Sequence, residues 1–80
     1  QLVQGQAPYE TVFANILARP LVGLAPDISR LTAPGGTIIL SGLLHHQETQ
    51  VRSAFTGRRM RLAQRIHHDG WSTLVFRKPV

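Results

Sequence analysis

The apolar run Thr11–Ile16 carries a single carboxamide, Asn15, at the point where helix-like sequence begins. A carboxamide offers a donor and an acceptor at once. In open α/β sheets, ligands gather beyond the carboxyl ends of parallel strands. Asn15 therefore stands where it would meet the amine or carbonyl of a bound molecule. The same position suits a helix N-cap, and spacing alone does not separate the two roles. Ser41 and Gly42 follow a second β-rich run, Thr37–Leu40, toward the same rim. There a small side chain and a bare backbone permit close approach, although an ordinary strand exit uses the same residues.

The pairs His45-His46 and His67-His68 invite a metal reading. Adjacent residues share neither a helix face nor a strand face, so neither pair chelates by itself. A site with one histidine from each pair needs a tertiary juxtaposition, and no carboxylate cluster accompanies them. They are expected as solvent-exposed imidazoles, with no metal site. Arg58, Arg59, Arg61 and Arg65 form a basic cluster that fits either phosphate contact or the charged edge of a sheet, and the edge is favoured. Catalytic triads find no material: there is no cysteine, and Glu10, Asp27, Glu48 and Asp69 are expected in turns or near helix starts. Pro34-Gly35-Gly36 precedes a strand instead of following one, so it is no phosphate-binding loop.

These side chains need a scaffold, and composition bounds what it is. The 80 residues make one small domain or a piece of a larger one, and the first is Gln1 rather than Met, as in an excised segment. Hydrophobic content of 42% with 16% charged residues fits a globular fold. The absence of cysteine fits a reducing cytoplasm, and no run approaches the roughly 20 apolar residues of a membrane span. Nine Lys and Arg oppose four Asp and Glu. An anionic partner such as nucleic acid would suit that balance, but the basic residues lack the interleaved aromatics that stack on bases.

Along the chain, Gln1–Pro8 reads as a lead-in loop. Thr11–Ile16 reads as a strand buried on both faces. Leu17, Leu21, Leu24, Ile28 and Leu31 draw one helical stripe. Pro26 predicts a break near Ala25, with a second short helix after it. Ala33-Pro34-Gly35-Gly36 stops that helix and turns the chain into the strand Thr37–Leu40. Val51, Ala54 and Phe55 share a face of a helix from about His46 to Phe55, which Gly57 ends at its C′ position. Met60, Leu62 and Ile66 alternate with Arg61, Arg65 and His67, as in a strand with one wet face. Asp69-Gly70 signals a hairpin into Trp71–Phe76, apolar on both faces and so expected inside the sheet, with its charged partner at the edge. The order β-α-β-α-β-β makes this an α/β piece.

Three runs carry a family resemblance: ANILARPLVGLAP (residues 14–26), APGGTIILSGLLHHQ (33–47) and DGWSTLVFRK (69–78). In order and spacing they resemble the carboxyl-terminal half of the PrmA family, S-adenosylmethionine-dependent methyltransferases of a large-subunit ribosomal protein. The resemblance implies strands four to seven of a Rossmann-like class I methyltransferase sheet, the last inserted antiparallel between the fifth and sixth. It makes residues 9–80 the second half of that domain, behind the lead-in loop 1–8. Asn15 becomes the motif asparagine beside the reactive methyl of S-adenosylmethionine, a catalytic and cofactor-binding position, with Ser41 and Gly42 lining the cofactor rim. Ala18 stands where base methyltransferases of a related type carry an aromatic ring, so the implied acceptor is a protein amine, lysine or α-amino.

The Gly-rich cofactor loop and the ribose-binding acid belong to the first half of such a domain, so this chain alone is expected to bind the cofactor weakly or not at all. Thr56-Gly57-Arg58-Arg59-Met60 departs from the family, which usually has Gly followed by an aromatic. Two rival readings are a non-enzymatic methyltransferase relic or interaction module, and a small basic nucleic-acid binder. Cutting the sheet in half would leave Thr11–Ile16 at an edge, which predicts either self-association there or faster amide exchange along it than along Trp71–Phe76.

Overall fold

The computed structural model describes residues 8–15 and 18–80. The lead-in loop expected at Gln1–Pro8 therefore lies outside the described residues except at Pro8, as do Ile16 at the end of the expected strand and Leu17 of the expected helical stripe. Within the described chain the elements are β1 (Tyr9–Ala14), α1 (Ala18–Leu31), β2 (Thr32–Leu44), a 3₁₀ turn (His45–Gln47), α2 (Glu48–Thr56), β3 (Arg61–His68) and β4 (Trp71–Arg77). The four strands form one sheet in the order β1-β2-β4-β3. β1 runs parallel to β2, while β4 runs antiparallel to both β2 and β3. The last strand thus sits inside the sheet and its charged partner at the edge, as the charge pattern predicts.

Both helices lie on one face. Val12, Ala14, Ile38, Leu40, Leu43, Leu74 and Phe76 meet Leu21, Ala25 and Ile28 of α1 and Val51 and Phe55 of α2 in a single core. Phe55 stacks on Phe76 with ring centroids 5.3 Å apart. The other face explains why β1 is not buried on both sides: Val12 and Ala14 are covered, but Phe13 is 43% exposed. Trp71 and Ile66 stand out on the same open side, at 51% and 44%.

α1 does not break at Pro26. Proline in a helix interior costs about 3 kcal/mol relative to alanine. Fully burying Leu21 and Ile28, on either side of it, returns about 1.5–3 kcal/mol each, and Pro26 itself faces solvent. Packing outweighs propensity. The helix ends at Leu31, but Ala33–Gly36 is not a turn: pairing with β1 begins at Thr32 opposite Tyr9 and resumes at Thr37 opposite Thr11, with a bulge between. The last residues stitch this bulge. Lys78 N–H donates to the Gly36 carbonyl (2.9 Å) and Gly35 N–H to the Lys78 carbonyl (3.0 Å). Lys78 Nζ also donates to the carbonyls of Ser29 (2.8 Å) and Thr32 (2.7 Å), which caps the carboxyl end of α1.

Gly57 does not take the left-handed C′ role either, since its φ is −64°. Arg59 does, at φ 67°. Met60 N–H then reaches the Phe55 carbonyl (3.1 Å) and Arg59 N–H the Thr56 carbonyl (3.0 Å), the bond pair of a Schellman motif. Met60 is buried beneath it. Asp69 and Gly70, at φ 50° and 82°, make the tight hairpin turn that their types predict.

Candidate functional site

At the carboxyl rim, β1 ends at Ala14 opposite Leu40, while β2 runs on to Leu44 opposite Trp71. Ser41 and Gly42 are therefore no strand exit. Leu40 pairs with Leu74 and Leu43 with Ser72, so Ser41 and Gly42 together oppose Thr73 in a β-bulge. Gly42 takes φ +79° there, and a Cβ on it would collide with Asn15 Oδ1. Glycine is thus required twice over, by conformation and by the approach of the carboxamide. The three residues singled out from the sequence meet: an exposed Asn15 packed on Gly42, with half-buried Ser41 beside them. The N-cap role of Asn15 turns on residues 16 and 17, outside the described set.

A second polar cluster lies on the same rim, on the helix-covered face. Its centre is Glu48, the first residue of α2, whose side chain is only 7% exposed. Arg65 Nε donates to Glu48 Oε1, and Ser72 Oγ donates to Oε2 at 3.1 Å. His67 Nε2 lies 2.8 Å from Oε2 and 3.3 Å from Arg65 Nη2. Burial pushes the Glu48 carboxyl up, but these bonds and the Arg65 charge outweigh it and lower the pKa to about 2. The imidazole of His45, in the 3₁₀ turn, meets that of His67 edge-on at 4.1 Å.

Strict alternation puts Arg65 and His67 on the solvent side of β3, and the structure corrects this. Leu62 pairs with Phe76 but Gln64 with Val75, so Ala63 is a bulge. One extra residue flips every later side chain. Arg65 and His67 swing to the helix face and Ile66 to the open one. All four arginines of the basic cluster stay exposed, but Arg65 is turned toward Glu48 and paired with it. Sequence reasoning missed Glu48 as an organising residue, for its partners are 17 to 24 positions away. Its one signal was an acidic residue in the first turn of a helix, which an N-terminal dipole already explains.

Comparison with known proteins decides the family. Residues 1–79 match the family model of ribosomal protein L11 methyltransferase (PrmA). This chain belongs to the PrmA family. Over 79 residues it is 53% identical to the ribosomal protein L11 methyltransferase of Caulobacter sp. (strain K31), covering 99% of the chain and 27% of that relative. Over 71 residues it is 44% identical to the enzyme of the same description from Chelativorans sp. (strain BNC1), covering 89% of the chain and 24% of that relative. The chain thus spans about a quarter of the length of the curated PrmA relatives it matches. A crystal structure of ribosomal protein L11 methylase from Lactobacillus delbrueckii subsp. bulgaricus superposes with a TM-score of 0.86 at 21% identity, over 94% of this chain and 39% of that one. That likeness establishes the fold as part of a PrmA methyltransferase sheet. Among the described residues no helix is long and apolar enough to cross a membrane.

Proposed function

We propose that residues 9–80 are the carboxyl-terminal half of a methyltransferase domain that methylates a protein nitrogen, lysine or α-amino, with S-adenosylmethionine as donor. The relatives' shared description brings ribosomal protein L11 here as the acceptor protein. The observation that carries the reading is the Asn15–Gly42 contact at the carboxyl rim, where an open α/β sheet receives its ligands. The group types fit: a neutral carboxamide and bare backbone, with the buried carboxylate of Glu48 held by its own partners. When bound, the cofactor supplies an electrophilic methyl on a sulfonium.

The work of this chain is positional. An attacking amine must be neutral, desolvated and in line. Asn15 presents a carbonyl oxygen that accepts an N–H of that amine, which aims its lone pair. Gly42 admits the carboxamide to its place, and Ser41 borders it. The ammonium form of the amine must lose its proton to solvent before attack, because a protonated nitrogen has no lone pair to offer. A cytoplasmic location follows from a ribosomal acceptor, and the lack of cysteine agrees with it. We also propose self-association along β1, which among the described residues pairs on one side only, with β2.

The test is Asn15→Ala in the full gene product, read by methyl transfer to ribosomal protein L11 and by thermal unfolding. Stability should fall by about 1 kcal/mol at most, as for a lost cap. The rate constant kcat should fall by a larger factor than that loss represents. Equal rates for variant and parent would reduce Asn15 to a structural residue.

A further inference from the structure

We propose that His45, Glu48 and His67 form a binding site for a divalent transition-metal ion of the zinc type. One imidazole comes from each histidine pair, and the carboxylate comes from between them in sequence. Their ligand atoms all lie within 4.8 Å of one another. A tetrahedral ion with bonds of about 2.0–2.2 Å needs its ligand atoms roughly 3.3–3.5 Å apart. The His67 Nε2 to Glu48 Oε2 separation, 2.8 Å, is already at that scale. The remaining adjustment falls to His45, whose side chain is exposed and whose ring makes no hydrogen bond among the described residues.

Two imidazoles and one carboxylate suit zinc or cobalt, not magnesium or calcium, which take oxygen ligands. Three protein ligands would leave a fourth position for water or an added ligand. The outer shell is built as well. Arg65 and Ser72 hold the carboxylate in orientation, as groups behind a metal ligand do. An ion would replace the direct His67–Glu48 contact, so His67 Nε2 must be deprotonated for it to enter. The Arg65 charge opposes the cation and moderates its affinity. The ligands come from the 3₁₀ turn, α2 and β3, so a bound ion would tie three elements together at the rim that also holds Asn15 and Gly42.

The experiment titrates the metal-free full gene product with Co²⁺ and Zn²⁺, read by cobalt visible absorption and by calorimetry. One equivalent should bind, with the intense bands of a four-coordinate cobalt ion, and Zn²⁺ should displace it. His45→Ala and His67→Ala should each weaken binding by at least about tenfold, the scale by which even outer-shell losses act. His46→Ala and His68→Ala, which alter the exposed imidazoles next door, should leave it unchanged. Circular dichroism of the metal-free variants checks that each is folded. If His67→Ala does not fold, His45→Ala decides, since that side chain lies outside the core. The proposal is overturned if the wild-type protein binds no saturable single equivalent, or if a folded His45→Ala variant titrates like the parent.

Discussion

The two faces of this sheet are made of nearly the same residue types and end in opposite environments. On one side Ile38, Leu40, Leu74 and Phe76 vanish under two helices. On the other, Phe13, Ile66, Leu44 and Trp71 each keep more than a third of their surface in contact with solvent among the described residues. An unbroken apolar run records that a strand is meant to be covered on both faces. It does not record whether the cover lies within the same 80 residues. In a chain that spans a quarter of its relatives' length, the distinction separates what the segment stabilises by itself from what it presents.

The sharpest way to break that contrast is a paired truncation. Phe76→Ala, on the covered face, should cost about 3–5 kcal/mol in chemical denaturation. Phe13→Ala, on the open face, should stay within roughly 0.5 kcal/mol, the range of surface substitutions. A comparable loss at Phe13 would mean that the open face is buried in solution.

A smaller effect separates the polar part of the covered face from its apolar part. Glu48→Ala should cost about 1–3 kcal/mol, because it strands the donors of Arg65 and Ser72. The pH profile carries the same information with a definite sign. The folded carboxyl titrates at about 2 against an ordinary 4.5. Its contribution is therefore fully present above pH 4.5 and lost as pH falls from there toward 2. Measured in a chelating buffer, the parent should lose stability through that window, and Glu48→Ala should lose less. Parallel profiles would remove Glu48 from the account.

The smallest predicted difference lies between strands. Among the described residues Tyr9–Ala14 is paired on one side and Trp71–Arg77 on both. Amide exchange should be faster along β1 than along β4. Equal protection would mean that the side of β1 away from β2 is covered.

Much of the scaffold was legible because it is local. Arg and His on one segment marked an edge strand, Asp69-Gly70 marked the turn, and three motif runs marked the family. Gly42 and Asn15 were legible as candidates, but their contact was not, since it depends on where β1 stops relative to β2. Single-residue insertions defeated the alternation rule. Nothing in the composition of Leu62-Ala63-Gln64 announces a bulge, yet that bulge moves Arg65 and His67 across the sheet to Glu48. Pro26 and Gly57 misled for the opposite reason: their local preferences were clear, and tertiary packing overrode them.

The bonds from Lys78 to the end of α1 have a consequence for the order in which the molecule is made. The carbonyls of Ser29 and Thr32 wait for a donor 49 and 46 positions further on. At about 5–20 residues per second, that donor is synthesised roughly 2–10 s later. Until then the last turn of α1 has only water for those groups, and the bulge of β2 has no closing strand end. The nascent helix therefore stays frayed while the rest of the chain emerges. The lock comes late: when synthesis has reached only Arg77, every hydrophobic residue of the core is present and the Lys78 bonds are not.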